Sequence, residues 1–235
     1  MKLRIKFSKH GALKFIGHLD VMRYFQKAVR RAGIDIAYST GFSPHQVMSF
    51  ASPLGIGLES NGEYMDIEVN SLTCSQQLID DLNAQMVEGI RVLEAKLLPE
   101  NAGNAMASVC AAKYTIRFRD GFRPMFLNQA TLDRFYSQPE IIVTKKTKRS
   151  ETTFDMKPYI FEFALAEEGG LLLTVDASSS GNIKPSLVMR AYYEQNGCVL
   201  DEFGLLITRE ETYINVGNDT DRRLEPLGFI GSDYG

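Results

Sequence analysis

Tryptophan is absent from these 235 residues, and cysteine and histidine occur only three times each. Cys74, Cys110 and Cys198 are odd in number and far apart. They supply neither a disulfide framework nor a CxxC zinc knuckle nor an iron–sulfur run, and read as small buried hydrophobes of a chain kept in a reducing cytoplasm. His10, His18 and His45 stand in no HxH, HxxxH or HExxH arrangement, so no metal is assigned to them. Long apolar runs are missing as well. The opening MKLRIKFSKH alternates charged and apolar residues, which is the pattern of a strand rather than of a signal peptide's apolar core, and nothing in the chain argues for a membrane. GxSxG, SxxK, the P-loop and GxGxxG are all lacking, which removes the common hydrolase, triphosphate and dinucleotide readings.

What is present is an ordinary globular composition, 44% hydrophobic and 23% charged, enough for one large core or two small ones. The net charge of −3 argues against an obligate nucleic-acid binder, but its distribution is uneven. Residues 1–50 carry nine Lys/Arg against two Asp/Glu, residues 51–112 two against nine, residues 113–160 ten against five, and residues 161–235 five against thirteen. The order basic, acidic, basic, acidic suggests a repeat.

Periodicity supports one. Lys2–Ser8 reads as a strand with Leu3, Ile5 and Phe7 on one side, and His18–Ala32 as a helix with an apolar stripe of Leu19, Met22, Phe25 and Val29, stopped by Gly33. Ile34–Ser39 reads as a strand and Glu63–Val69 as another, with Tyr64, Asp66 and Glu68 on a wet face. Ser75–Glu88 reads as a helix and Ile90–Leu97 as a strand. The second half repeats this order: strand Lys113–Arg119, helix Pro124–Ser137, strand Glu140–Lys146, an additional strand over Phe154–Leu165, strand Leu171–Ala177, helix Pro185–Gln195 with proline in its first turn, and a closing strand or strand pair over Phe203–Ile214. The expected fold is therefore α+β, two tandem ferredoxin-like βαββαβ plaits over residues 1–98 and 108–214, with a loosely ordered tail over 215–235.

Tyr38–Gly57, YSTGFSPHQVMSFASPLGIG, is punctuated by Gly41, Pro44, Pro53, Gly55 and Gly57 too densely for a helix, while Val47, Met48 and Phe50 are apolar enough to pack. It reads as a shaped, partly buried loop, and as the floor of any site. On the helix before it, Arg23, Lys27, Arg30 and Arg31 share one face, with Lys9, Lys14, His10 and His18 close by. Such a face either tracks phosphates or is simply solvated. His18 and His45 are candidates for proton transfer or phosphate contact. Lys145, Lys146, Lys148 and Arg149 form a dense basic run that suits a polyanion patch or a solvated hairpin tip. Ser178–Pro185, SSSGNIKP, leads straight into a helix, so that Ser180, Gly181, Asn182 and Lys184 can present N–H groups and charge to an anion; the competing reading is an ordinary helix cap. Glu59, Glu63, Asp66 and Glu68 can hold Mg2+, although carboxylates alternating on a strand usually mean a solvated sheet face.

The run from Gly17 to Val69, followed by VTKKTKR, FDMKPYI and SSSGNIKPSLVMRA, resembles the radical-SAM-linked family of unknown function, a domain encoded beside or fused behind B12-binding-type radical SAM proteins. Its hallmark segments coincide with His18, Gly41, Pro44, His45, Lys145, Lys146, Asn182, Lys184 and Pro185, whereas Ser43 and Gln46 stand where its members often carry Asn and Pro. The resemblance implies a bacterial cytoplasmic protein working with a radical SAM partner. This chain has no CxxxCxxC, so an iron–sulfur cluster and S-adenosylmethionine are expected in the partner and no cofactor in this chain. The resulting expectation is an accessory protein that presents RNA or another phosphorylated substrate to that partner. The alternatives are a stand-alone, metal-independent RNA-processing or RNA-modifying enzyme using His18 or His45, and a scaffold that recognises only protein.

Overall fold

The computed structural model describes residues 1–146, 151–167, 169–218 and 221–235. It divides into two compact units, Met1–Cys110 with Arg209–Gly235, and Ala111–Thr208. In chain order the elements are β1 (Lys2–Lys9), α1 (His18–Arg31), β2 (Met48–Phe50), β3 (Glu59–Glu68), α2 (Ser75–Asn83), β4 (Ile90–Leu97), α3 (Ala105–Ser108), β5 (Ala111–Phe118), α4 (Gln129–Tyr136), β6 (Ile142–Lys146), β7 (Glu151–Asp155), β8 (Ile160–Leu165), β9 (Leu171–Asp176), α5 (Pro185–Gln195), β10 (Leu205–Asn215) and β11 (Leu224–Pro226). The fold is mixed α+β, with antiparallel strand pairing in both units.

In the first unit the strand order is β4-β1-β3, with β2 also paired to β3. Register places Leu3 opposite Ile67 and Leu97, and Ile5 opposite Met65 and Ala95, so side chains two apart on each strand build one apolar face. That face packs on Val21, Phe25 and Val29 of α1 and on Leu78 and Leu82 of α2. Rings of Phe7 and Phe25 lie 4.7 Å apart, and Phe50 from β2 completes the cluster at 5.9 Å from each. The buried stripe of α1 is Val21, Phe25, Ala28 and Val29, so Phe25 and Val29 are buried as expected, Met22 packs partly buried against the core, and only Leu19 of the expected stripe is not part of it. Leu19 is exposed, because the helix turns residues 21, 25 and 28 toward the sheet.

The second face of this sheet is not wet. Arg4 and Asp66, which the alternation turned toward water, are 0% and 4% exposed. They are covered by α3, whose Ala105 N–H donates to Asp66 Oδ2 at 2.8 Å, and by the C-terminal segment, whose Leu227 is fully buried. The described part of the tail is accordingly packed rather than loose: β11 pairs with β10, Leu97 bridges Ser232, and Ser75 N–H donates to the Tyr234 carbonyl at 2.7 Å. The division expected at residues 98 to 108 falls at Cys110, and residues 209–235 return to the first unit.

Several element ends move for local reasons. Ile34–Ser39 forms only isolated bridges, Ile36 to Val69 and Tyr38 to Gln46. Helix α2 stops at Asn83 because the Asn83 amide turns to β4, donating to the Val92 carbonyl and accepting from its N–H at 2.9 Å each. Helix α4 begins at Gln129, after an Asn128 capping box with Thr131, instead of at Pro124. The long strand over Phe154–Leu165 is broken by a 3-10 turn at Lys157–Tyr159, where Pro158 has no N–H to donate to a ladder. The cysteines are not core residues as expected: Cys74 and Cys110 are half-buried and Cys198 is exposed. Cys74 caps α2, its sulfur accepting from the Gln77 N–H at 3.4 Å.

In the second unit β5, β9 and β8 lie side by side, and Arg119 N–H donates to the Gly204 carbonyl at the start of β10, 2.9 Å away. Strands β6 and β7 form a separate hairpin. Phe135 of α4, Phe163 of β8 and Tyr192 of α5 stack edge to face at 5.4–5.5 Å, which ties both helices to the sheet.

Candidate functional site

Burial of α1 by its apolar stripe leaves Arg23, Lys27, Arg30 and Arg31 exposed on its opposite side. Arg23 meets Asp20 at 3.3 Å and Arg31 donates to the Gln85 carbonyl at 3.0 Å. Lys27 and Arg30 form no ion pair among the described residues. Lys14 does not join them, since its Nζ is held by Glu59 at 3.2 Å.

The loop after α1 is shaped as expected, with Gln46, Phe50, Ala51 and Leu54 buried and Phe42 fully exposed. Its histidine faces outward: His45 is exposed, and both its Nδ1 and its N–H engage the Ser39 hydroxyl, at 2.8 and 3.1 Å. His18 is placed differently. Its ring packs edge-on against Phe50 at 5.2 Å and borders a small cavity, about 20 Å³, shared with Lys9, Ser52, Pro53 and Glu63. The loop thus borders that small cavity beside His18, while His45 lies apart from it.

Lys9 is 2% exposed, Glu63 6% and Arg209 4%. Glu63 Oε1 accepts from Arg209 Nη1 at 2.9 Å and from the Ser60 hydroxyl at 2.7 Å, and Arg209 also donates to the Ser52 carbonyl at 3.0 Å. Burial holds the Lys9 amine below its ordinary pKa, opposed by the charge of Glu63 and reinforced by that of Arg209. The legible cue to this cluster is phase. Lys9 continues the series Leu3, Ile5, Phe7, and Glu63 the series Met65, Ile67, Val69, so both charges sit on the core side of their strands. Nothing in the local pattern marks Arg209.

The four carboxylates of this region do not converge on a cation. Glu59 turns to Lys14 and His10, Glu63 to Arg209, Asp66 to Arg4, and Glu68 is exposed. His10 bonds Asn61 at 2.9 Å through Nε2.

In the second unit Lys145 of β6 and Lys184, the residue before α5, line one cleft of about 620 Å³ together with Arg190, Glu194 and Glu202. Arg190 is paired with Glu202 at 2.5 Å. Lys146 ends β6, opposite Glu151, and Lys148 lies outside the described residues. The SSSGNIKP turn is not an open anion cradle, because Asp176 already occupies it. Its Oδ1 accepts from the Ser178 N–H at 2.9 Å and the Ser178 hydroxyl at 2.6 Å, and its carbonyl accepts from Ile183 N–H at 2.9 Å. Gly181 donates to Ser178 Oγ at 3.2 Å, and a side chain there would collide with the Asp176 carboxylate. Ser180 is exposed beside Ser178 Oγ at 3.1 Å, and Asn182 holds a left-handed conformation at φ 45°.

Fold and site together define a two-unit α+β protein with a buried ionic cluster in its first unit and exposed basic residues on α1. The chain belongs to the family described as "Uncharacterized protein conserved in bacteria (DUF2344)", which matches residues 2–185. No curated protein matches it. Among solved structures it is similar to a chain of "Crystal Structure of a Cbf5-Nop10-Gar1 Complex", at 8% identity and a TM-score of 0.47, over 89% of this chain and 48% of that one. The chain therefore spans about half the length of that structure's chain, and the likeness carries no functional statement. Among the described residues no helix is long and apolar enough to cross a membrane.

Proposed function

We propose that the protein is a cytoplasmic accessory module that holds RNA, or another phosphorylated substrate, for a radical SAM partner enzyme. The observation that supports this reading most directly is the exposed Arg23, Lys27, Arg30 and Arg31 series on α1. Four cations within three turns of one helix, with a single carboxylate among their ion-pair partners, leave positive charge that the phosphates of a nucleic-acid backbone can neutralise. The cleft bearing Lys145 and Lys184 is a second place where a phosphate group finds positive charge.

The same reading takes each unit as a ferredoxin-like plait. The order β1-α1-β2-β3-α2-β4, with β4-β1-β3-β2 as spatial neighbours, supports it for the first unit. The order β5-α4-β8-β9-α5-β10, with the β6–β7 hairpin inserted, supports it for the second. The radical SAM partner rests on the resemblance of the hallmark segments alone.

The test is a gel-shift or fluorescence titration of the full chain with single-stranded RNA over a salt series. Binding should weaken steeply with salt, and Lys27→Glu with Arg30→Glu should lower the slope of log K against log salt by roughly 0.7 for each phosphate that is no longer neutralised. A slope unchanged by both substitutions sinks the assignment of α1. Co-purification of the native protein with a radical SAM enzyme tests the partner separately.

A further inference from the structure

One aromatic side chain of the second unit stands out into solvent while its backbone is held fast. Phe203 is 66% exposed and its neighbour Phe122 38%. The short 3-10 turn Glu202–Gly204 that carries Phe203 is pinned at three points. Asp201 Oδ1 accepts from the Phe203 N–H at 3.0 Å, Arg119 Nε donates to the Phe203 carbonyl at 2.8 Å, and the Arg119 N–H donates to the Gly204 carbonyl at 2.9 Å. The rings of Phe122 and Phe203 meet edge to face at 5.9 Å. Gly204 leaves room for Phe122, since a Cβ there would lie 2.5 Å from its ring.

Arg119 also lies over the Phe203 ring, its guanidinium carbon 4.6 Å from the centroid. Among the described residues only its Nε has a side-chain hydrogen-bond partner, so Nη1 and Nη2 keep their donors free. The carboxylates beside Phe203 in the chain are engaged, Asp201 with the Phe203 N–H and Glu202 with Arg190 at 2.5 Å. The result is a layer of ring and guanidinium, held in place by the fold, with unused N–H donors at its edge. An apolar ring gains no stability from facing water, whereas a π surface fixed at the protein exterior is what an unpaired base stacks on.

We propose that Phe203 and Arg119 form a stacking platform for one unpaired nucleobase of a single-stranded polynucleotide, with the flanking phosphate taken by the free Nη groups of Arg119. The inference rests on the proposed role in holding RNA and deepens it, because the α1 cations meet phosphates and this layer meets a base. Every base has a π face, so the contact tolerates any sequence. Stacking displaces no counterions, and it therefore leaves a different mark on the salt dependence from a phosphate contact.

The experiment titrates the full chain with a short single-stranded RNA oligonucleotide over a salt series, comparing the native protein with Phe203→Leu, and repeats the titration with an oligonucleotide of abasic residues. Phe203→Leu should weaken binding about fivefold or more by the same factor at every salt concentration, leaving the slope of log K against log salt unchanged. The abasic strand should lose at least as much on the native protein. Because the native chain contains no tryptophan, Phe203→Trp places a lone reporter at the platform, and the RNA should quench its fluorescence; this readout decides the matter should Phe203→Leu fail to fold. Equal affinities of native and Phe203→Leu proteins, an abasic strand bound as tightly as the ordinary one, or an unquenched tryptophan overturns the platform. A native protein that binds no RNA at any salt overturns it together with the reading on which it rests, whereas a loss on Phe203→Leu beside a slope unmoved by Lys27→Glu keeps the platform and removes α1.

Discussion

Arg4 and Asp66 face each other across the β1–β3 pair, joined by two hydrogen bonds of 2.8 and 3.0 Å and almost completely removed from solvent. Removing one member strands the other's charge. Asp66→Ala should therefore destabilise the first unit by about 3–5 kcal/mol, whereas replacing both together, Arg4→Met with Asp66→Leu, should cost much less. Urea unfolding with unchanged m-values checks the pair.

Leu227 tests the packed C-terminal segment. It is fully buried although it lies beyond the last long strand, and its N–H donates to the Thr212 carbonyl at 2.9 Å. Leu227→Ala should cost about 2–5 kcal/mol, as for other core leucines. A change within about 0.5 kcal/mol in equilibrium unfolding, the usual size for a surface position, would return the tail to the loose state expected from its composition.

Lys9 gives a pH dependence with a defined sign. Burial lowers its pKa in the folded protein, so at low pH both states carry the proton and the folded state bears the full penalty. Between the lowered value and the ordinary lysine value, about 10.4, the unfolded chain binds more protons than the folded one, and stability rises with pH. Unfolding free energies of the native protein and Lys9→Met, measured at increasing pH, should shift progressively in favour of the native protein across that window.

Tyr64 gives the opposite sign. Its hydroxyl donates to Glu211 Oε1 at 2.8 Å. Burial, then the Glu211 charge, pushes the phenol far above its ordinary value. The folded protein keeps this proton in alkali where the unfolded chain releases it, so stability falls as pH rises past about 10. Ultraviolet titration of the native protein and Tyr64→Phe should show equal tyrosinate signals until unfolding, with Tyr64 ionising only then.

Periodicity made much of the molecule legible. Leu3, Ile5 and Phe7 are inward because a strand repeats every two residues, α5 begins at Pro185 because proline suits a first helical turn, and the exposed basic residues of α1 follow from a stripe repeating every three to four. The fates of the charged residues on the strands were decided elsewhere. Arg4 and Asp66 alternate as solvent-facing residues should, yet α3 and a segment more than 200 positions from Arg4 cover them. The SSSGNIKP turn has the composition of an anion cradle and is filled by its own Asp176. Local sequence sets which side of an element a residue occupies, since that depends on backbone geometry over a few residues. Whether that side meets water, a carboxylate or a carbonyl depends on chain segments brought together only by folding, as where Glu63 of β3 meets Arg209 of β10 out of solvent.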